Sequence, residues 1–376
     1  MRRRAGGFPN MLSYLLTFTL ASLFGYLSSL SENSRIKQLF ALLSCFCLCT
    51  LAACRDMTVG TDTDGYAWNI FRVSQHCGLT DTMRATTVEP LFAVGAHFAS
   101  VVFRNYSIVL FLINFAAVGP FVAAMRRLAP NRMGLAMASY SFIFYGWTLN
   151  IMRQAIVASL FIWMYIFAKE RKKFQYCLFL VLALGFHNTA LLGLAIWPIV
   201  VLVDRPDSVG ISSEQAKKIL FGCIIAYFCS IFVVFFFSRE LLSIAAYFKE
   251  SYSYQLAHIG EGSVRWSYVF LSIVIIVAAK IIGKESHTAL LLIVLQSLPL
   301  SFLSVISSQL FRLAFMFAAF VPVLFCQFLN YFEDIQLRRK YGFCLVAAAF
   351  AYFFWTYIYG MSMEIYPYTS TILGIG

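Results

Sequence analysis

Three turns between apolar stretches each carry one ionisable side chain: Arg153 in TLNIMRQ, His187 in GFHN and Arg312 in SSQLFR. A charge in such a place is costly unless it has a partner or a role. Arginine binds phosphate oxygens in pairs and stays charged, whereas histidine, with an unperturbed pKa of about 6.5, exchanges protons near neutral pH. The pattern favours a phosphate-bearing ligand beside a proton-transfer group, although headgroup anchoring or a structural histidine would also account for these residues.

A second chemical pattern is the string GTDTDG at residues 60–65, which contains Asp62 and Asp64. Two carboxylates this close could serve in acid–base catalysis or bind an acceptor hydroxyl. They could equally form an Asx turn in which Asp64 caps a helix beginning at Gly65. Two carboxylates make a poor calcium site, and no CxxC pair or His/Cys cluster has metal-ligand spacing, so we expect no metal and no cofactor.

The elements that position these residues follow from composition, because 61% of the residues are hydrophobic and only 12% are charged. Such a chain has lipid as its solvent. A crossing needs roughly 20 apolar residues, and the sequence offers about a dozen such stretches in succession. Helices satisfy their own backbone in lipid, and no alternating pattern suggests a barrel. The predicted fold is a single all-α domain over residues 1–376: a polytopic transmembrane bundle of about 12 or 13 helices, with short amphipathic helices in its extracytoplasmic loops.

Basic loops set the orientation of this bundle, because Lys and Arg in short loops concentrate on the cytoplasmic side. The basic clusters assigned to that side are 126–132, 169–173, 217–218 and 338–340. The three ionisable turns and the loops 55–87 and 238–266 then lie outside the cytoplasm. An alternative takes 174–203 as one continuous helix. The number of membrane-crossing helices also stays open. It is about 13 if segment 89–103 crosses the membrane, and about 12 if that segment is re-entrant or interfacial, which we favour.

With this orientation, the outer basic residues are nearly all arginine: Arg55, Arg72, Arg84, Arg104, Arg153, Arg239, Arg265 and Arg312, with Lys249 the single lysine. The inner basic residues divide almost evenly between arginine and lysine. An arginine-biased outer face predicts an anionic, phosphate-bearing ligand on that side.

Short strings in order along the chain resemble the EpsG family of Wzy-type polymerases of exopolysaccharide, capsule and O-antigen. They are VGTDTDGY (59–66), EPLF (89–92), LNIMRQAI (149–156), GFHNTAL (185–191), FR (311–312) and YPY (366–368). Each string alone is short, but together they span most of the chain. The resemblance implies that the functional residues include Asp62, Asp64, Glu89, Arg153, Gln154, His187 and Arg312.

The resemblance also implies a reaction: transfer of a growing glycan from undecaprenyl pyrophosphate to a lipid-linked repeat unit on the outer face of a bacterial inner membrane. The leaving pyrophosphate gathers negative charge that needs cations, and its candidate ligands are Arg153, Arg312, Gln154 and Arg55. The acceptor hydroxyl needs a base, and the candidates are His187, Asp62, Asp64 and Glu89. The expected partners are the undecaprenyl-pyrophosphate-linked oligosaccharide, membrane lipid, a chain-length regulator and a flippase, and no nucleic acid.

Aromatic faces stack on pyranose rings, so the candidate sugar platforms are Tyr66, Trp68, Tyr366 and Tyr368. In a chain with 39 Phe and 20 Tyr, an aromatic side chain is more often packing or an interfacial anchor. Two other function classes stay open. A flippase or transporter of lipid-linked oligosaccharide would line a path with the arginines, but we find no internal repeat of the kind that many transporters show. A membrane O-acyltransferase would use the histidine and leave the arginines without a phosphate to bind.

Overall fold

The computed structural model of the protein describes residues 8–86, 88–204, 206, 210–248, 256–257, 259–260, 262–282, 288–307 and 310–376. Every regular element in these ranges is helical, and the one sheet-like pairing there is an isolated bridge between Ser370 and Ile375. The predicted all-α bundle is confirmed. Arg2 to Arg4 lie outside the described residues, as do 249–255, 258 and 261 of the predicted loop 238–266, a set that includes Lys249.

The α-helices of the described ranges are α1 (Phe8–Leu30), α2 (Ser34–Cys54), α3 (Asn69–Ser74), α4 (Leu79–Thr86), α5 (Pro90–Phe103), α6 (Tyr106–Leu128), α7 (Met133–Ser139), α8 (Tyr145–Asn150), α9 (Met152–Lys169), α10 (Lys173–Phe186), α11 (Ile196–Asp204), α12 (Ser213–Phe236), α13 (Ser238–Phe248), α14 (Trp266–Ile282), α15 (Thr288–Leu295), α16 (Ser297–Phe302), α17 (Phe311–Ala318), α18 (Val321–Phe328) and α19 (Ile335–Phe353). Wider π-helical turns occur at Thr63–Trp68, Tyr140–Phe144 and Phe354–Tyr359. Tighter 3₁₀ turns occur at Pro130–Arg132, Asn188–Ala195, Leu303–Val305, Leu329–Tyr331 and Ser362–Glu364.

Six helices in the described ranges are long and apolar enough to cross a membrane: Asn10–Leu30, Ser34–Cys54, Tyr106–Leu128, Ser213–Phe236, Phe311–Tyr331 and Ile335–Tyr359. Shorter apolar helices of 10–17 residues accompany them: Pro90–Phe103, Lys173–Phe186, Asn188–Asp204, Trp266–Ala278 and Ala289–Val305. The protein is therefore a multi-pass membrane protein. The total of about 12 or 13 crossings stays a prediction.

Polar side chains explain where several of these helices begin. Asn33 Oδ1 accepts hydrogen bonds from the N–H groups of Arg35 and Ile36 at 2.9 and 3.3 Å, at the start of α2. Ser212 and Gln215 form a reciprocal capping box at the start of α12. The first N–H groups of a helix have no partner within the helix, so each cap of this kind stabilises it by about 1 kcal/mol.

Loops rich in Lys and Arg meet at one end of the bundle, which we call the basic end. Arg127, in the last turn of α6, pairs with Glu170, which follows α9. Arg132 donates a hydrogen bond to Asn330 Oδ1 at 3.0 Å, which joins the start of α7 to the loop before α19. We call the opposite end the site end, because it carries the predicted functional residues. That the site end faces outward stays a prediction.

The segment between α2 and α6 leaves the site end and returns to it. Tyr106, the first residue of α6, donates a hydrogen bond from its hydroxyl to the carbonyl of Thr63 at 2.8 Å, just beyond the end of α2. Between them, the 14-residue α5 packs against α3, α4, α6 and α10. This is the arrangement expected if segment 89–103 is re-entrant or interfacial.

The 174–203 segment is a hairpin and not one continuous helix. His187 has an extended backbone, with φ −167° and ψ 142°, between α10 and the 3₁₀ turn Asn188–Ala195. The Tyr176 hydroxyl donates a hydrogen bond to the Gly193 carbonyl at 2.5 Å, which joins the two arms. The continuous-helix interpretation is therefore wrong, and His187 lies at the hairpin tip.

Two central elements bring distant parts of the site end together. Helix α9 is buried along nearly its whole length and packs against α6, α10, α11 and α17. Trp147 of α8 stacks on Phe315 with ring centroids 4.2 Å apart and lies 5.3 Å from the ring of Phe311. These contacts hold the start of α17 beside the break between α8 and α9, so Arg312 lies near Arg153.

Candidate functional site

The predicted charged residues lie at helix ends on the site end of the bundle. Arg55 follows α2, Glu89 precedes α5, Arg153 lies in the first turn of α9, His187 follows α10, and Arg312 lies in the first turn of α17. Helix ends leave N–H or C=O groups without partners in the helix, so they suit polar side chains and polar ligands. Residues far apart in the chain form one cluster there.

Glu89 links two of these residues. Its Oε2 accepts a hydrogen bond from Arg153 Nη1 at 2.5 Å, and its Oε1 lies 4.0 Å from His187 Nε2. The Arg153 and Glu89 side chains are 13% and 15% exposed, so the pair is mostly shielded from water. A charge-assisted hydrogen bond of this kind fixes the direction of the guanidinium. Glu89 is therefore better placed to orient Arg153 than to act as the predicted base.

His187 is held so that one ring nitrogen accepts and the other donates. Nδ1 lies 3.1 Å from the backbone N–H of Thr189, which can only donate, so Nδ1 accepts that hydrogen bond. A neutral His187 ring then carries its proton on Nε2. Gln154 Nε2 lies 3.4 Å from His187 Nε2, while Gln154 Oε1 is buried without a partner. Turning the Gln154 amide by 180° would let its Oε1 accept a hydrogen bond from the Nε2–H group of His187.

Asp62 is the most buried of the candidate carboxylates, with 7% of the residue exposed. Burial raises the pKa of Asp62 to about 6, and the guanidinium groups of Arg312, Arg153 and Arg55 oppose this rise, as does a hydrogen bond from the Met152 N–H. Three arginines thus act on one carboxylate. A carboxyl group whose pKa lies near the working pH is suited to accept a proton during a reaction.

Two of these arginines lie close enough to repel each other. The Arg153 guanidinium lies over the ring of Tyr66, with Cζ 4.3 Å from the centroid, a favourable cation–π contact. Arg312 interacts electrostatically with Asp62, Tyr66 and Arg153. The negative charges of Asp62 and Glu89 offset part of the repulsion between the guanidinium groups. An anion bound between Arg153 and Arg312 would offset more of it.

Arg55 is placed differently from Arg153 and Arg312. Only 4% of Arg55 is exposed, its Nη2 lies 3.6 Å from Met152 Sδ, and its Nε and Nη1 are buried without hydrogen-bond partners. A side chain so enclosed does not expose its guanidinium N–H groups to a ligand at the surface. The predicted pyrophosphate contact of Arg55 stays a prediction, and in this arrangement its charge acts on Asp62.

Asp64 is separated from Asp62 by one residue and has a different environment. It is exposed and lies inside the π-helical turn Thr63–Trp68. The residue before that turn is Asp62, whose side chain makes no capping hydrogen bond. The interpretation in which Asp64 caps a helix beginning at Gly65 is therefore wrong. Burial distinguishes the two carboxylates, since Asp62 lies within the cluster and Asp64 faces outward.

The arrangement is that of a membrane protein with a cationic cluster and a buried proton acceptor at one end. The family model of EpsG, which describes Wzy-like polysaccharide polymerases, matches residues 38–370. The chain belongs to the EpsG family. No curated protein and no solved structure matches it. The matched range of this EpsG-family chain contains the whole charged cluster, from Arg55 to Arg312.

The predicted sugar platforms of the EpsG-family chain fall into two groups. Tyr368 is fully buried, and its hydroxyl donates a hydrogen bond to the Leu51 carbonyl at 2.8 Å. Its ring packs edge-on against Tyr14 with centroids 5.3 Å apart. A sugar platform needs an open face, so the prediction for Tyr368 is wrong and its role is packing.

The other aromatic candidates are partly buried. Trp68 stacks on Phe71 with centroids 5.6 Å apart, which covers part of its surface. Tyr66 has one face under the Arg153 guanidinium, which places its ring next to the charged cluster. Sugar binding by Tyr66, Trp68 and Tyr366 stays a prediction, and Tyr66 has the strongest position.

Several residues of the site were missed by sequence reasoning, although they lie within strings that resemble the EpsG family. Thr189 orients His187. Asn150 is buried, accepts a hydrogen bond from the Thr61 hydroxyl and donates one to the Met363 carbonyl at 3.3 Å. Gly60 has φ +86°, and a Cβ there would lie 2.3 Å from the Leu149 carbonyl oxygen, so only glycine fits.

A segment near residue 365 holds the loop that carries Asp62. The Gly60 N–H donates to the Glu364 carbonyl at 2.9 Å, and the Asp56 N–H donates to the Thr369 carbonyl at 3.0 Å. Asp56 Oδ1 accepts hydrogen bonds from the N–H and hydroxyl of Thr371 at 2.8 and 2.9 Å.

Within the described residues, no group of three or more His, Cys, Asp or Glu side chains is arranged to bind a metal ion.

Proposed function

We propose that this EpsG-family protein lengthens a polysaccharide by transferring the growing glycan from undecaprenyl pyrophosphate to a lipid-linked repeat unit. The reaction takes place at the site end, on the outer face of the bacterial inner membrane. The convergence of three guanidinium groups on the buried carboxylate of Asp62 carries the proposal. Such a transfer needs cations for the pyrophosphate and a base for the acceptor hydroxyl, and this cluster supplies both.

In the proposed step, the acceptor hydroxyl oxygen attacks the anomeric carbon of the donor glycan. A bond forms between these two atoms while the bond from the anomeric carbon to the pyrophosphate oxygen breaks. The hydroxyl proton moves to the carboxylate of Asp62, and the bonding electron pair leaves with the lipid pyrophosphate. The leaving group therefore gains one negative charge as the protein loses one.

This exchange of charge gives the arginines a role that grows during the reaction. Before transfer, Arg153 and Arg312 interact with the ionised Asp62. Once Asp62 takes the proton, it no longer attracts the two guanidinium groups. They then interact with the pyrophosphate oxygens, where negative charge is accumulating. Interactions that strengthen in the transition state accelerate the chemical step, whereas uniform binding does not.

His187 and Glu89 support this reaction without taking the proton. Because Nδ1 of His187 accepts from the Thr189 N–H, the proton of a neutral ring is on Nε2, which faces Glu89 and Gln154. His187 is therefore a hydrogen-bond donor toward a phosphate or carboxylate oxygen. Glu89 is a positioning residue that holds Arg153. The predicted catalytic role is kept for Asp62 alone.

The chain offers a matched pair for testing this assignment, because Asp62 and Asp64 have the same side chain and differ in burial. Asp62→Asn keeps the shape and removes the base, so we expect polymer synthesis to fall by roughly 10²- to 10⁴-fold. Asp64→Asn removes the same charge at an exposed position, and we expect near-normal synthesis. Both variants are assayed as purified protein in liposomes with lipid-linked repeat units, and product length is resolved on gels.

Two controls make the comparison decisive. Both variants must be present at equal amounts and unfold at temperatures no lower than that of the unmodified protein, so that a loss reflects chemistry. Supplying repeat units on both sides of the liposome membrane removes any need for a flippase. Full synthesis by Asp62→Asn, or equal losses in both variants, would contradict the proposed role of Asp62.

A further inference from the structure

A cavity of about 240 Å³ lies at the basic end, between α1, α2, α6 and the start of α7. Lys37, Arg126 and Arg127 line it, together with Ser28 and Ala123. Its volume is roughly eight times the ~30 Å³ that a water molecule occupies in the liquid. The cavity is thus large enough for a phosphate group and belongs to a different region from the Asp62 cluster.

The ion pairs around this cavity leave it positively charged. Arg127 pairs with Glu170, and the same carboxylate also accepts from Lys172 Nζ at 2.9 Å. One acid is therefore shared by two cations. Among the residues that the structure describes, the salt bridges include neither Lys37 nor Arg126. Cations that line a cavity with so little acid nearby favour an anionic occupant.

An apolar surface continues from the cavity along α6. Arg126, Gly119, Phe115 and Ile108 follow one another at helical spacings on one face of this helix. Phe115 and Ile108 are 36% and 37% exposed. Phe46 of α2 is also exposed and packs beside this face, with its ring centroid 6.3 Å from that of Phe115. A free phosphate would leave this surface unused, whereas acyl chains would cover it.

We propose that the cavity binds the phosphate of an anionic phospholipid, with the acyl chains along the Arg126–Ile108 face of α6 and beside Phe46. Lys37, Arg126 and Arg127 contact the phosphate oxygens. The lipid comes from the leaflet at the basic end. A zwitterionic lipid binds less well, because its own cation faces these three side chains.

Binding is measured on the purified full-length protein in detergent, titrated separately with short-chain phosphatidylglycerol, phosphatidylcholine and inorganic phosphate. We expect saturable phosphatidylglycerol binding and at least tenfold weaker binding of the other two. The variant Lys37→Gln/Arg126→Gln should bind phosphatidylglycerol roughly thirty-fold more weakly. The control Arg339→Gln/Lys340→Gln removes the same charge from exposed positions of α19, and its binding should stay within about twofold of the unmodified protein.

A second variant keeps the charges and fills the space. Ala123→Phe places a ring in the cavity, so we expect it to weaken phosphatidylglycerol binding even if the double variant folds poorly. Equal loss in the Arg339→Gln/Lys340→Gln control would overturn the proposal in favour of diffuse surface charge. If phosphatidylcholine bound as tightly as phosphatidylglycerol, the binding would be apolar adsorption and the proposal would fail. If inorganic phosphate bound as tightly, the cavity would be a site for small anions and not for a lipid. Because binding is read directly, the result is independent of polymerase activity.

Discussion

The site end and the basic end of this bundle both concentrate arginine, yet they place it in different environments. At the site end, Arg55 and Arg153 are largely enclosed and act on the buried carboxylate of Asp62. At the basic end, Arg127 is exposed and forms a surface pair with Glu170. Exposed pairs contribute about 0 to 1 kcal/mol each, whereas an enclosed charge strongly affects every group near it. Burial at a helix end, more than residue type, marks the arginines suited to chemistry.

The helix that connects the two ends supports this division. Between Arg153 and Lys169, α9 contains no charged residue, and nearly all of its residues are buried. A translocation path would carry polar and ionisable groups through the depth of the bundle. The central helix instead separates two charged ends with an apolar core. This arrangement favours a reaction at one face over transport.

The largest expected effect is all-or-none labelling of the two ends. In a cysteine-free background, Asp64→Cys places a thiol at an exposed position of the site end, and Lys340→Cys places one at the basic end. In intact spheroplasts, a membrane-impermeant thiol reagent should label only Asp64→Cys, because basic loops stay in the cytoplasm. Both positions should react after the cells are opened. Labelling of Lys340→Cys alone in intact cells would reverse the orientation and place the proposed reaction on the wrong side.

A smaller but still large effect is expected when the arginines of the site end become lysines. Arg153→Lys and Arg312→Lys keep the charge but lose the paired hydrogen bonds of the guanidinium, at a cost of about 2 to 4 kcal/mol in the transition state. Transfer should therefore slow by roughly thirty- to thousand-fold. Cells with these variants at normal protein levels should export single repeat units and make little long polymer.

The matched substitution at the basic end is Arg339→Lys. Arg339 is exposed on α19, so polymer length should stay near normal. Single units that accumulate on the cytoplasmic leaflet in the Arg153→Lys strain would indicate a flippase instead. Near-normal polymer in both site-end variants would remove the guanidinium requirement from the mechanism.

The pH dependence of transfer should show the titration of Asp62. Its pKa is raised to about 6 by burial, and a base acts only when it is deprotonated. We expect the rate of transfer to fall about tenfold per pH unit below pH 6 and to level off above it. The remaining activity of Asp62→Asn should lack this transition. If the rate of the Asp62→Asn variant still falls below pH 6, a group other than Asp62 is responsible for the pH dependence.

A modest effect on stability should accompany this pH dependence. The unfolded pKa of Asp is about 3.9, so the folded protein, with a pKa of about 6 at Asp62, binds this proton more tightly. Asp62 therefore contributes stability below about pH 4 that is lost as the pH rises to about 6. Thermal unfolding of the purified protein should show this decline, and Asp62→Asn should flatten it. An equal decline in both proteins would contradict the assignment.

The sequence was sufficient for the helical bundle and for the positions of its interruptions. Lipid leaves few alternatives for the backbone, so hydropathy alone predicted the all-α fold. Spacing between basic clusters placed the turns near Arg153 and His187, and helices end or begin at both positions. These features are local, because each depends on a short stretch of chain and on the membrane.

Distinctions between similar residues were not predictable in this way. Asp62 and Asp64 look alike in sequence. Only the hydrogen bond from Met152 and the electrostatic interaction with the distant Arg312 show which one is buried among cations. Tyr368 resembled an open aromatic platform, yet it packs against the end of α2 through Leu51, 317 residues away in the chain. Tertiary contacts over such separations produce no hydropathy or spacing pattern in the sequence from which they could be predicted.

The hydrogen bonds between Asp56 and Thr371 have a consequence for biosynthesis. The two residues are 315 positions apart, so the loop before Asp62 lacks these partners while the intervening chain is being made. At roughly 5 to 20 residues per second, that interval lasts about 15 to 60 s. During it, the first two helices can already occupy the membrane while the loop still awaits its anchor. The loop that carries Asp62 therefore gains these hydrogen bonds only after translation has passed residue 371.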